Sequence, residues 1–209
     1  MTAAFLIATR SAGKRREILE ILRDVPYRLV FPDDVGLVER AVEERLETAD
    51  SFEGNARRKA EYFARLSGLP TAADDSGLEV FSLGGQPGVR SRRFALVSGP
   101  PDQQDQANNA ELLRRLAGAP PARRRARYRC VIAYFPRPDA IPMTFEGTCL
   151  GSIALAPRGT GGFGYDPLFV SDDLGKTFGE AAPEEKHAVS HRGRAFRALG
   201  QWLQTHPAG

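Results

Sequence analysis

Apolar and polar positions along the chain alternate between two periods. Ala3 to Thr9 is an unbroken apolar run, as expected of a strand buried on both faces. From about Lys14 to Arg23, Ile18, Leu19, Ile21 and Leu22 recur at helical spacing, and Asp24 and Pro26 stop the helix. Tyr27 to Phe31 alternates like a second strand. Pro32 to Asp50 is polar, acidic and irregular, and reads as a flexible flap. A helix then runs to about Ser67, with Phe52, Ala56, Ala60, Phe63 and Ala64 as its buried stripe. Asp50 or Ser51 caps it, with Asp50-x-x-Glu53 as a capping box, and Gly68 and Pro70 end it. Asn55 and Lys59 lie four apart and share one exposed face, which either looks onto the site at Asp75 or is a solvated polar face, the commoner case.

The second half continues in the same way. Leu69 to Val80 reads as a short strand, an Asp74-Asp75-Ser76-Gly77 turn, and another strand. Gly84 to Gly88 is a dense turn. Asp102 starts a helix carrying Leu112, Leu113 and Leu116, ended by Gly118 and Pro120-Pro121. Ala126 to Phe135 is a strand. Met143 to Leu155 reads as one or two strands, broken near Gly147 and Gly151. A terminal helix presents Ala195, Phe196, Leu199, Trp202 and Leu203 on its apolar side.

Composition narrows the class. The 209 residues suffice for one domain with a sizeable core, or two small lobes. A net charge of +3, from 29 basic and 26 acidic residues, is too mild to argue for nucleic acid. Cys130 and Cys149 have no partner spacing and fit buried thiols in a reducing cytosol. No apolar run approaches the ~18 residues of a membrane span. The start, Met1-Thr2-Ala3-Ala4-Phe5, lacks a charged n-region, so no signal peptide is expected and the location expected is cytoplasmic.

Four stretches carry candidate chemistry. Asp74 and Asp75 at the end of a buried strand offer hard oxygen ligands suited to Mg²⁺, while Ser76 can donate to a phosphate; a surface turn would look the same. Arg10 to Lys14 joins strand to helix and forms an anion cradle with Lys14 as a full charge, although an ordinary connection has this form too and the spacing is not that of a Walker A loop. Pro157 to Pro167 carries glycines at 159, 161, 162 and 164 beside Phe163, Tyr165 and Asp166. Such glycines allow backbone to approach a ligand and an aromatic face can stack on a base; the alternative is a long hairpin loop. Ser190-His191-Arg192 opens the last helix, where side-chain donors meet free backbone N–H groups. A Ser190–His191–Asp75 triad is rejected, because adjacent Ser190 and His191 would need unusual geometry and no nucleophile elbow exists. The arginines at 123, 124, 125, 127 and 129 suggest phosphate contacts, but the cluster lacks aromatic interleaving and reads better as a solvated or edge-protecting run.

These segments, in this order, resemble the inosine triphosphate pyrophosphatase family, also called dITP/XTP pyrophosphatases. The likeness rests on Ile7-Ala8-Thr9 with Gly13-Lys14 and Glu17-Ile18, on Ser51-Phe52-Glu53-Gly54-Asn55-Ala56 with Lys59-Ala60, and on Ala73 to Leu78. Gly159 to Pro167 and Glu184-Glu185-Lys186 with Ser190 to Gly193 complete it, so it spans nearly the whole chain. The resemblance implies an α/β fold: a long mixed central sheet with helices on both faces, and two lobes flanking an active-site cleft, in one domain over residues 1–209. It implies Mg²⁺-dependent hydrolysis of ITP, dITP and XTP to monophosphate and pyrophosphate by a homodimer, with no nucleic-acid or membrane partner. Asp75 would be metal ligand and proton acceptor, and Glu47 a second metal ligand. Thr9, Arg10, Ser11, Ala12, Gly13 and Lys14 would contact substrate, and Lys14, Lys59, Ser76 and Lys186 would hold its phosphates. Phe163, Gly164, Tyr165 and Asp166 would bind the nucleoside, and His191 and Arg192 the purine edge. The family commonly has Thr-Gly-Asn where this chain has Thr9-Arg10-Ser11, so Arg10 is expected to supply a charge where a glycine would stand. Two rivals are a pyrophosphatase for pyrimidine or modified nucleotides, which should lack Ser190-His191-Arg192, and an RNA binder using the arginines at 123 to 129.

Overall fold

The structure, a computed structural model, describes residues 2–206; Met1, where the reading of the amino terminus begins, and residues 207–209 lie outside the described residues. In chain order the elements are β1 (Ala4–Ile7), α1 (Ala12–Ile21), β2 (Arg28–Val30), α2 (Phe52–Ser67), β3 (Thr71–Val80), α3 (Pro101–Arg115), β4 (Arg125–Phe135), β5 (Met143–Ile153), β6 (Phe169–Ser171), α4 (Pro183–Val189) and α5 (His191–Thr205). The six strands form one mixed sheet in the order β2-β1-β3-β4-β5-β6. β1 runs parallel to β2, with Leu6 opposite Val30, and parallel to β3, with Ile7 opposite Ala72; β6 returns antiparallel to β5.

The chain divides into two compact units, and β3, β4 and β5 each give residues to both. The first comprises Met1–Asp75, Cys130–Gly147 and Arg192–Gly209; the second comprises Ser76–Arg129 and Thr148–His191. In the first unit the period-two pleat sorts side chains onto opposite faces. Phe5, Ile7, Ala72, Cys130, Ile132 and Tyr134 pack with Ile18 of α1, with Leu22 just past its end, and with Ala195, Phe196, Leu199 and Leu203 of α5. Leu6, Ala8, Ala73, Ala133 and Phe135 pack with Ala56, Ala60, Phe63 and Ala64 of α2. Helices therefore cover both faces here, as the fold expectation requires. The second unit has its own core, in which Leu78, Val80, Tyr128, Ile153, Phe169 and Phe178 pack with Leu112 of α3 and with Leu116 just past its end.

Several local expectations change. β3 is one continuous strand through Asp74, Asp75 and Ser76, not two strands around a turn. β5 is likewise unbroken: Gly147 and Gly151 lie within it, and a side chain at 151 would meet Val170 O at 2.2 Å and the Phe169 ring at 2.7 Å, so close strand packing explains that glycine. The cap of α2 is Ser51, whose hydroxyl accepts the Gly54 N–H at 3.1 Å; Asp50 forms no box. The polar stretch after β2 holds two 3₁₀ turns, Pro32–Val35 and Ala41–Arg45. Both cysteines are free and buried, as expected. Among the described residues no helix is long and apolar enough to cross a membrane.

Candidate functional site

The pleat of β3 gives its two adjacent aspartates different surroundings. Asp74 faces the side of α1 and α5. Lys14 Nζ lies 2.9 Å from its Oδ2 and Arg192 Nε 3.6 Å, while Arg192 Nη1 pairs with Glu17 Oε2 at 2.6 Å. Burial alone would push the Asp74 carboxyl up, but Lys14, Arg192 and Lys59 hold it well below the usual carboxylate range. Burial also works against the Arg192 charge, and Glu17 and Asp74 more than offset it. Cys130, 4.0 Å from Asp74, is pushed up by burial and by that carboxylate, so it is an inert thiol.

Asp75 faces α2. Asn55 Nδ2 donates to Asp75 Oδ2 at 2.8 Å, and the Ala49 N–H donates to Asn55 Oδ1 at 2.7 Å, which fixes the amide's orientation. Lys59 Nζ pairs with Glu47 Oε1 at 2.7 Å. Lys59 holds the Glu47 carboxyl down at about 2 against the cost of burial, with help from Lys14. Burial lowers the Lys59 ammonium, but Glu47, Asp74 and Asp75 overcome this and hold it firmly protonated. Asp75 goes the other way: burial, aided by Glu47, pushes its carboxyl up despite Lys59, Lys14 and the Asn55 bond. Asn55 and Lys59 were expected on an exposed face; they are 0% and 8% exposed and turned toward these carboxylates. Polar residues at helical spacing look solvated until the charges they meet are known.

The first loop spends much of its polarity on itself. Thr9 Oγ1 accepts the Ser11 N–H at 3.3 Å, and Ser11 Oγ accepts the Lys14 N–H at 3.4 Å as the cap of α1. Ala12, Gly13 and Lys14 form the helix's first turn, whose N–H groups have no intrahelical acceptor. Arg10, expected to offer a charge to substrate, instead engages Glu43 through Nε at 2.8 Å and Nη2 at 3.0 Å, the Leu37 carbonyl at 2.9 Å, and Asp33. Its guanidinium tethers the expected flap.

The second unit builds a different site. Asp166 Oδ2 accepts the Phe163 N–H at 2.8 Å and pairs with Lys186 Nζ at 2.6 Å, and the Tyr128 hydroxyl approaches Asp166 Oδ1 at 3.5 Å. Lys186 also lies 4.9 Å from the centroid of the Phe163 ring. His191 stacks on Tyr128 with centroids 4.4 Å apart and planes 8° from parallel. Gly162 has φ +73°, and a Cβ there would sit 2.0 Å from Asp166 Oδ2, so only glycine allows this loop to close on that carboxylate. Tyr165 is buried, and its hydroxyl donates to Ser91 O at 2.8 Å. Ser76 follows Asp75 in β3.

Of the expected residues, Lys14, Lys59, Glu47, Asp75 and Arg192 thus gather in the first unit, and Phe163, Gly164, Tyr165, Asp166, Lys186 and His191 in the second. Asp105, Asn109 and Tyr128 escaped the sequence reading, and only the four-residue spacing of the first two on one helix hinted at a shared role. Three of the five arginines behind the RNA-binding rival are taken up by the fold. Arg124 is buried and donates to the carbonyls of Leu116, Ile153 and Ala154; Arg125 forks onto Asp172; Arg127 pairs with Glu79.

The profile of the Ham1 family matches residues 5–202. A dITP/XTP pyrophosphatase from an Anaeromyxobacter species is 41% identical, over 95% of this chain and 96% of that protein. A HAM1 protein from Coxiella burnetii superposes with a TM-score of 0.84 at 34% identity, covering 97% of this chain and 99% of that one. A nucleoside-triphosphatase / dITP/XTP pyrophosphatase from Mycobacterium abscessus superposes with a TM-score of 0.72 at 41% identity, covering 94% and 98%. With residues 5–202 matched by the family profile and 41% identity to a relative over nearly the whole of both chains, this chain belongs to the Ham1 family.

Proposed function

We propose that the chain is a nucleoside triphosphate pyrophosphatase that hydrolyses ITP, dITP and XTP to the monophosphate and pyrophosphate, clearing non-standard purines from the nucleotide pool. One observation carries the reading. In a Ham1-family chain, Asp74 is neutralised within the fold while its neighbour Asp75 is a buried carboxylate whose charge the surroundings do not fully offset.

The donor set at Asp75 fits Mg²⁺. Asp75 and Glu47 are hard oxygen ligands, and a divalent ion would relieve the cost that burial places on ionised Asp75. Mg²⁺ is commonly held by one or two carboxylates while it keeps waters and takes substrate phosphates as further ligands. When bound, Mg²⁺ supplies charge neutralisation on the phosphates and a water of lowered pKa.

The chain's own groups do the rest. Asp75, oriented by Asn55, accepts a proton from the water that attacks the α-phosphorus in line. Lys14 and Lys59 offset the charge of the departing pyrophosphate, and the first-turn N–H groups of α1 together with Ser76 bind phosphate oxygens. No covalent intermediate is required. In the second unit Phe163 stacks on the base, while His191 presents a donor to a 6-oxo group. Adenine offers a 6-amino donor there, and a buried mismatch of this kind discriminates by ~10⁴. Arg192 is committed to Glu17 and Asp74 and Lys186 to Asp166, which leaves the purine edge to His191. The reading extends to a homodimer, as the resemblance implies, and to a cytoplasmic location.

The test is pyrophosphate release from ITP, dITP, XTP, GTP and ATP measured side by side, with and without EDTA. Fast turnover of the first three, slow turnover of ATP and loss of activity in EDTA are expected. Equal rates across the panel would remove the base reading, and release of orthophosphate alone would place the cleavage at another bond.

A further inference from the structure

The helix α3 attracted no functional reading, yet two of its side chains hold one residue of the glycine loop. The Gly164 N–H donates to Asp105 Oδ2 at 2.6 Å, and Asn109 Nδ2 donates to the Gly164 carbonyl at 2.9 Å. Positions 105 and 109 are four apart, so both side chains leave the same side of the helix. Gly164 has φ +62°, outside any regular element, and these two bonds secure both polar groups of that residue. Asn109 Oδ1 is buried and has no hydrogen-bond partner among the described residues, so the amide is held from its nitrogen side alone. The helix itself is braced: Asn108 accepts the Ala95 N–H at 2.9 Å and donates to the Arg92 carbonyl at 3.0 Å. Nearby, Tyr165 reaches the Ser91 carbonyl, so α3 and the turn beside it hold the loop on either side of Gly164.

We propose that Asp105 and Asn109 are positioning residues for purine recognition: by gripping both backbone groups of Gly164 they set the Phe163 ring that receives the base. This rests on the assignment of Phe163 to Asp166 to the nucleoside. Neither residue touches the reacting phosphorus, so the effect falls on KM rather than kcat.

The test uses Asp105→Ala, Asn109→Ala and Asp105→Asn, whose amide oxygen still accepts the Gly164 N–H. With ITP, each alanine variant raises KM about tenfold, the size of one lost hydrogen bond, and keeps kcat within about threefold. Asp105→Asn keeps KM within about twofold. Hydrogen exchange over residues 160–167, measured without nucleotide, speeds up about tenfold in Asp105→Ala and stays at the parental rate in Asp105→Asn. Should Asp105→Ala fail to fold, Asn109→Ala carries the same comparison. Faster exchange with an unchanged KM in an active enzyme overturns the proposal and leaves the function standing. Failure of the unaltered protein to hydrolyse ITP overturns the functional reading, and the proposal with it.

Discussion

The polar interior of the first unit is built from full charges, and that of the second mostly from single hydrogen bonds and stacked rings. Lys14, Lys59 and Arg192 face Asp74, Glu47 and Glu17 across distances of 2.6 to 3.6 Å, with Asp75 among them. In the second unit the loop at Phe163 to Asp166 is held by Asp105, Asn109, Ser91 and Tyr128, with Lys186 and Asp166 as its buried ion pair. Charges in a low-dielectric interior act on one another collectively, so removing one disturbs all. Hydrogen bonds to separate backbone groups fail one at a time.

The sharpest way to break this contrast is within the first unit, by neutralising the two aspartates in turn. Asp75→Asn should lower kcat by roughly 10²–10⁴, the range of a positioned base, in steady-state ITP hydrolysis. Its stability should move the other way. Burial raises the Asp75 carboxyl, so the ionised form opposes folding at neutral pH, and the amide in EDTA should unfold at equal or higher urea. Asp74→Asn should instead cost about 3–5 kcal/mol, because Lys14 and Arg192 lose a buried counter-charge. Since the Asp74 carboxyl is depressed in the folded state, that contribution is complete above the ordinary carboxylate range near ~4 and disappears as the pH falls through the lower, folded value. The gap between parent and variant in urea unfolding should therefore be constant from neutral to mildly acid pH and narrow below it. Equal stability losses for the two variants would mean that the strand treats its neighbouring acids alike.

This pair also shows where a sequence stops informing. Strands β1 and β4 and helices α1, α2 and α5 were legible because burial leaves a period, two or near 3.6, that any stretch of chain displays locally. The interior of β3 was not. Asp-Asp-Ser-Gly satisfies every local criterion for a turn, and what keeps it extended is compensation by Lys14 and Arg192, which belong to distant stretches of chain. The burial of Asn55 and Lys59 was missed for the same reason, although their shared face does look onto Asp75. The ties of Arg10 to the flap were not legible, because its partners lie 23 to 33 residues away. Asp105 lies 59 residues from Gly164, and nothing in helical spacing names a loop glycine as partner. Motif order, by contrast, singled out Lys14, Asp75 and the glycine loop, and each of them meets buried polar partners.

In the second unit a pair of alanines sharpens the contrast. At Gly162 a Cβ would meet the Asp166 carboxylate, which the Phe163 N–H, Tyr128 and Lys186 already fix, so Gly162→Ala should cost about 3 kcal/mol through crowding and backbone strain together. At Gly164 nothing lies within 4 Å of an added Cβ, and both backbone bonds to α3 survive. Gly164→Ala should pay only the left-handed backbone cost of about 1–2 kcal/mol, or a few degrees in Tm by scanning calorimetry. A smaller loss at 162 than at 164 would show that Asp166 can yield, and that its hold on Lys186 is loose.

The smallest effect returns to the first unit and to Arg10. Its bonds reach Glu43, Asp33 and Leu37, but Asp33 is more than half exposed, so solvent discounts that part of the network. Arg10→Ala should lower global stability by no more than about 1 kcal/mol. Locally the consequence is clearer, because the same guanidinium ties down the segment that leads to Glu47. Limited proteolysis of the variant should cut within residues 32–47 about fivefold faster, the factor that a loss of about 1 kcal/mol in local opening produces. KM for ITP should stay within about twofold, since none of the bonds lost is one that a phosphate could use. A phosphate-binding Arg10 predicts the reverse, a KM raised tenfold or more with the cleavage pattern unchanged. The two measurements together decide whether a charge beside the first turn of α1 serves the substrate or the chain, which a sequence comparison of that loop cannot do.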